Sequence, residues 1–207
     1  ARIAAPSESR LDEASLRRQL VARDCLETVN YAFVDAPLLQ QWGAGAGAVP
    51  LANPLSAELA VMRTRLLPGL VSALQRNVAR QAGRVRLFEL GNVFATPAAQ
   101  GDAPLETLRI AAAVCGDARA EQWGEVARKV DFHDLKGDLD SLAAASGAVL
   151  EYRPSAEGYG HPGRSADVYR DGVEIGWIGQ LHPRLQRALD LDAEVVAFEV
   201  DLAPLAV

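Results

Sequence analysis

The chain has 207 residues, 49% hydrophobic and 23% charged, an ordinary globular composition. Its 21 basic and 27 acidic side chains leave a net charge of −6, which argues against a free-standing nucleic-acid grip, normally a basic domain able to neutralise several phosphates. No stretch approaches the roughly 20 consecutive apolar residues of a membrane-spanning helix, and Ala1 to Arg10 has polar residues where a signal peptide would be apolar.

Leu11 to Leu16 opens the first predicted helix, with Asp12 as cap and Leu11 and Leu16 as a hydrophobic staple. After Arg23, Cys25 to Val34 alternates with apolar residues on both faces, the pattern of a central, covered strand. Gly43 to Ala48 is a flexible loop, followed by a short extended piece to Asn53-Pro54. Pro68 suits the first turn of the next helix, where its missing N–H costs little. Leu67, Leu70, Leu74 and Val78 then form its apolar stripe, with Arg76 and Arg80 opposite. Val85 to Phe94 is a predicted strand interrupted at Gly91-Asn92, and Leu108 to Cys115 another. Asp131 caps a helix whose buried stripe is Leu135, Leu139 and Leu142. Val149 to Arg153 is extended and Gly158 to Gly163 turn-rich. Ala166 to Gly179 is a hairpin turning at Asp171-Gly172, the chemistry of a two-residue loop with positive φ. A short helix from His182-Pro183 and a strand over Val195 to Val200 complete the pass. Without βαβα alternation, an α+β class with an antiparallel or mixed sheet flanked by helices is expected. One domain over 11–207, preceded by a linker at 1–10, is the expected organisation.

Charge is uneven. Residues 1–103 hold 11 basic against 9 acidic side chains, and residues 104–207 hold 10 against 18. Arg63, Arg65, Arg76, Arg80, Arg84 and Arg86 occur with no acid between Glu58 and Glu89. That run fits a solvated face, or a contact surface for RNA or an acidic partner. It contains no aromatic tryptophan or tyrosine platform for stacking single-stranded bases.

Motifs for chemistry are sparse. Gly43/Gly45/Ala48 matches G-x-G-x-x-[GA], yet no strand precedes it and Pro50 follows too soon for a pyrophosphate-binding helix. His133 sits at a helix start where capping explains its acidic neighbours. His161, Pro162, Gly163 and Arg164 lie in a glycine turn that reads either as a structured turn or as a small-ligand site, the latter making the chain a free-standing enzyme or binding domain. Glu89, in Phe88-Glu89-Leu90-Gly91, calls for a hydrogen-bonding partner rather than acid–base work. Cys25 and Cys115, widely separated, read as core residues in a reducing compartment. The chain starts at Ala1 without Met and stops at Val207 after a strand-like run, as a piece of a longer protein would.

Six strings resemble, in order, the bacterial phenylalanine–tRNA ligase β subunit. They are Thr28 to Phe33 (TVNYAF), Asn53 to Glu58 (NPLSAE), Met62 to Gly69 (MRTRLLPG), Phe88 to Phe94 (FELGNVF), Asp131 to Gly137 (DFHDLKG) and His161 to Ala166 (HPGRSA). The resemblance implies a catalytic-like core module with the class II aminoacyl-tRNA synthetase sheet, a degenerate relative of the active α subunit. It implies packing against that subunit in a cytoplasmic (αβ)2 heterotetramer, with tRNA, ATP and magnesium handled by the whole enzyme and no cofactor or metal in this module. A working site of that class carries F-R-x-E, its Arg and Glu two positions apart on one strand face. Here Arg86 and Glu89 are three apart and fall on opposite faces. Val195 to Val207 holds no Gly, and no Lys or Arg follows Arg187. The expected contact surface is Leu16 to Phe33 together with Arg63 to Arg86; Asn53, Pro54, Pro68, Glu89 and the His161 turn complete the candidate positions.

Overall fold

Asp12 caps the first helix by accepting from the Ser15 backbone N–H at 2.7 Å. The computed structural model describes residues 12–54, 56–97 and 102–206, so Leu11 and the expected linker lie outside the described residues. In chain order the elements are α1 (Glu13–Val21), β1 (Leu26–Glu27), β2 (Phe33–Val34), α2 (Ala36–Gln41), a 3-10 turn (Ala57–Leu59), β3 (Val61–Met62), α3 (Leu67–Val78), β4 (Val85–Ala95) and β5 (Leu105–Cys115). There follow α4 (Phe132–Ala144), β6 (Glu151–Pro154), β7 (Gly160–Arg170), β8 (Val173–Leu181), α5 (Pro183–Ala188), β9 (Val195–Asp201) and α6 (Ala203–Ala206).

Seven strands form one sheet in the order β1-β4-β5-β9-β8-β7-β6, antiparallel except where β1 runs parallel to β4. β2 and β3 make a separate ribbon. The architecture is α+β with a mixed sheet, as expected. On the back face, Leu16 and Leu20 of α1, Leu135, Leu139 and Leu142 of α4 and Leu205 of α6 pack against Phe88, Ile110 and Phe198. On the front face, Leu70 and Leu74 of α3 cover Leu87, Ala111, Ala113 and Ala197. The alanines on β5 and β9 let the α3 backbone come close, and each fully buried leucine contributes about 1.5–3 kcal/mol.

Local chemistry explains the elements that match expectation. Asp131 and Asp134 form a reciprocal capping box at the start of α4. Asp171 and Gly172, at φ 50° and 78°, turn β7 into β8.

Three expectations need correction. Cys25 to Val34 is no covered strand: only Leu26–Glu27 joins the main sheet, at its edge, and Phe33–Val34 belongs to the ribbon. Past Glu27 the chain stays tied to β4 through Asn30, whose side-chain amide donates to Glu89 Oε2 at 2.7 Å. β4 runs unbroken through Gly91-Asn92. Gly91 is there for a close approach, since a Cβ would collide with the Arg63 guanidinium. Finally, the glycine turn largely belongs to β7, which begins at Gly160 and has irregular register between Gly160 and Ser165.

Candidate functional site

The six arginines of the acid-free run are distributed by the fold. Arg63, nearly buried, donates through Nη1 to Glu89 Oε1 at 2.6 Å and through Nε to the Asn92 carbonyl at 2.8 Å. Arg65 donates to the Tyr159 hydroxyl at 2.7 Å, stacks over that ring and reaches Glu157 at 3.3 Å. Arg84 pairs with Asp24 at 3.2 Å, and Arg86 with Asp138 at 2.6 Å. Burial pushes the Asp138 carboxyl above its ordinary 3.8, against the pull of Arg86 and Arg23. Arg76, exposed near the end of α3, and Arg80, exposed in the turn that follows it, make no ion pair among the described residues. Absence of acids along the sequence is therefore not absence of acids in space.

β4 alternates regularly, so Arg86 faces α4 on the back while Glu89 faces α3 on the front. A nucleotide cannot be held jointly by two groups on opposite sides of a sheet. Glu89 accepts from Arg63 and from Asn30, the hydrogen-bonding role anticipated for it. A second buried acid, which sequence reasoning missed, is Glu199 on β9. Its Oε2 accepts from the Leu66 and Leu67 backbone N–H groups, each at 3.0 Å, and its Oε1 from Arg109 at 2.9 Å. The residue capping α3 is Leu66, with no side chain to do so, and the carboxylate of β9 supplies the missing acceptor at the positive end of the helix dipole. Front-face charges thus fasten α3 onto the sheet.

The other candidate positions are structural or peripheral. Pro68 is buried in the first turn of α3, while Asn53 and Pro54 are exposed in the loop before the 3-10 turn. His161 Nδ1 accepts from the Gly163 N–H at 3.1 Å, Pro162 is exposed, and Arg164 donates to Gln180 at 2.8 Å with Glu194 at 3.6 Å. The imidazole is thus bound to a backbone donor of its own turn. His133 packs edge-on against Phe132 at the start of α4.

Among the described residues, one group of exposed apolar side chains lies at and around the β1 edge. Val21, Leu26, Val29 and Tyr31 are 57%, 69%, 94% and 71% exposed. Leu26, Val29 and Tyr31, which the alternation assigned to a covered strand, are exposed instead. Two grooves flank them. One, of about 500 Å³, runs between Tyr31, Phe33, Leu38, Leu59 and Arg76; the other, of about 520 Å³, between Val21, Leu26, Asn77, Arg84 and Leu87. Exposed apolar side chains beside such grooves are surface chemistry suited to a protein–protein contact.

The family model described as the phenylalanyl tRNA synthetase beta chain CLM domain matches residues 1–202. The chain belongs to that family. Over 204 residues the CLM chain is 72% identical to the phenylalanine–tRNA ligase beta subunit of Xanthomonas campestris pv. campestris (strain 8004), covering 99% of this chain and 26% of that relative. The corresponding subunit of Xylella fastidiosa (strain Temecula1) is 66% identical over 203 residues, covering 98% and 26%. The CLM chain thus spans about a quarter of the length of the curated relatives it matches. Among solved structures, a pyrrolysyl tRNA synthetase from Desulfitobacterium hafniense has the same fold, with a TM-score of 0.68 at 18% identity over 93% of this chain and 66% of that one. The sheet and its flanking helices therefore share the fold of that synthetase.

Proposed function

We propose that this domain is a non-catalytic docking module of the phenylalanine–tRNA ligase β subunit. It packs against the catalytic α subunit within a cytoplasmic (αβ)2 assembly and so supports charging of tRNA with phenylalanine. The observation that carries this reading is the apolar β1 edge, with Val29 at 94% exposure and Tyr31 at 71%, set between two grooves. Adenylate chemistry, with ATP and magnesium, then belongs to the partner. Arg86 and Glu89 cannot serve one nucleotide, and Glu199 and Arg109 are committed to each other and to α3.

The test is co-purification of the intact β chain with its α subunit. Val29→Asp places an unpaired charge at the centre of the contact, where removing water from it is expensive, and should abolish co-elution at micromolar concentration. Retention of a stable complex by the doubly charged variant Val29→Asp/Tyr31→Asp would overturn the assignment of the edge.

A further inference from the structure

The four exposed side chains of the β1 edge are a small surface. Even at the roughly 150–250 Å² of a buried aromatic apiece, they reach only the floor of an obligate interface, which takes about 2,000 Å² or more from two partners. A subunit seated on this edge must recruit adjoining surface. The adjoining surface with large exposed apolar groups is the connection between β5 and α4.

That connection is held at its neck. Lys129 pairs with Asp117 at 2.8 Å, and Ala118 N–H donates to the Arg128 carbonyl at 2.9 Å. Val130 N–H donates to the Gly116 carbonyl at 3.0 Å, and Arg119 pairs with Glu125 across the loop. Beyond the neck, Trp123 is 104% exposed and Val126 95%. The loop encloses a notch of about 340 Å³ lined by Arg119, Gln122, Glu125 and Val126. Between it and the turn after α1 lies a groove of about 650 Å³ reaching Arg23, Asp24, Arg84 and Asp134. Asp24 and Arg84 also line the groove beside Leu26, so the surface runs without a break from the β1 edge to the loop.

We infer that the loop 117–129, through Trp123 and Val126, is a second anchor for the same α subunit, which spans the groove between loop and edge. This rests on the docking reading above. A rigid, fully solvated indole beside a wide groove is the type of group that dominates interface energetics once covered. RNA is disfavoured as the occupant. Arg23, Arg84, Arg86, Arg119 and Arg128 are each paired with an acid, so a phosphate backbone would meet carboxylates as well as guanidinium groups.

The test uses the intact heteromeric ligase, labelled on the α subunit, with subunit exchange against unlabelled enzyme followed by energy transfer. Affinity changes within one interface appear mainly in dissociation. Trp123→Ala should speed exchange by about 10- to 30-fold, as expected of a hot-spot aromatic, with Trp123→Phe restoring most of the loss. Val173→Ala, at an exposed valine of the β7–β8 turn, should leave exchange unaltered. Unchanged exchange in Trp123→Ala alongside lost co-elution or rapid exchange in Val29→Asp overturns the second anchor while leaving the docking edge standing. Unchanged exchange in both removes the docking reading and the inference with it. Loss of tRNA affinity in Trp123→Ala at unaltered exchange assigns the loop to RNA and likewise overturns the proposal.

Discussion

Replacing Glu199 by Ala removes the acceptor for two buried helix-start N–H groups and one partner of Arg109. Each buried donor left unsatisfied costs about 1–3 kcal/mol. Arg109 is not stranded, because its Nε still donates to Asp201 at 2.7 Å and its side chain is 26% exposed. The two N–H groups therefore set the cost, and water admitted to the space left by the shortened side chain recovers part of it. The expected loss is about 3–4 kcal/mol, a large share of the roughly 5–15 kcal/mol available to a folded domain. Glu199→Gln keeps one carbonyl oxygen for the helix and should lose only about 1–2 kcal/mol, the scale of a helix cap. Urea unfolding followed by circular dichroism, with the slope unchanged, reads both values. A loss below about 1 kcal/mol for Glu199→Ala would refute the capping role. Equal losses for Ala and Gln would show that negative charge, rather than the acceptor, is what α3 needs.

Gly91→Ala should drive the Arg63 guanidinium off Glu89 and leave a buried carboxylate unpaired, at about 3–5 kcal/mol. Calorimetry should show a Tm lowered by about 6–20 °C, from about 2–4 °C per kcal/mol at this size; a drop under 2 °C contradicts it. Arg128 holds the Asp134 carboxyl below its ordinary 3.8. A depressed folded pKa contributes stability present above about 3.8 and lost as pH falls through the lower folded value. Asp134→Asn should flatten that part of the acid limb in a pH series of unfolding curves and weaken the capping box. Burial pushes the Cys25 and Cys115 thiols up, so disulfide reagents should label neither in the native chain at neutral pH and both once it is unfolded in urea. Fast native labelling of either would contradict the packing described.

Helices α1, α3 and α4 were legible because each carries its own signals within one or two turns: a capping aspartate in α1 and α4, Pro68 with an apolar stripe in α3 and, in α4, a second acid completing the box. The β7–β8 hairpin was legible for the same reason, since Asp171-Gly172 is local chemistry. The stretch 25–34 was misread because alternation reports which residues share a side, not whether that side meets a core or a partner. Val29 and Tyr31 satisfy the pattern and face outward. The fate of the arginine run was hidden because Asp24, Asp138 and Glu157 lie far from it along the chain. Glu199 went unnoticed although its setting, an acid within Val195-Val-Ala-Phe-Glu-Val200, repeats the signal that marked Glu89. The value of an acid amid apolar strand residues is that it announces a buried donor elsewhere, and only the fold reveals that the donors are the first amides of α3.

A sheet that offers an edge to a partner risks offering it to copies of itself, because unpaired backbone groups template further strands. Here β1 contributes only the two residues Leu26–Glu27, and the opposite edge, β6, is four residues carrying Glu151, Arg153 and Pro154. Neither is long enough to propagate a hydrogen-bonded ladder from molecule to molecule. On the docking reading proposed above, recognition at the β1 edge falls to side chains, which demand a shaped counterpart, while the backbone, which would accept any extended chain, presents only two residues. This domain, still without its proposed partner, is thereby spared polymerisation through its sheet.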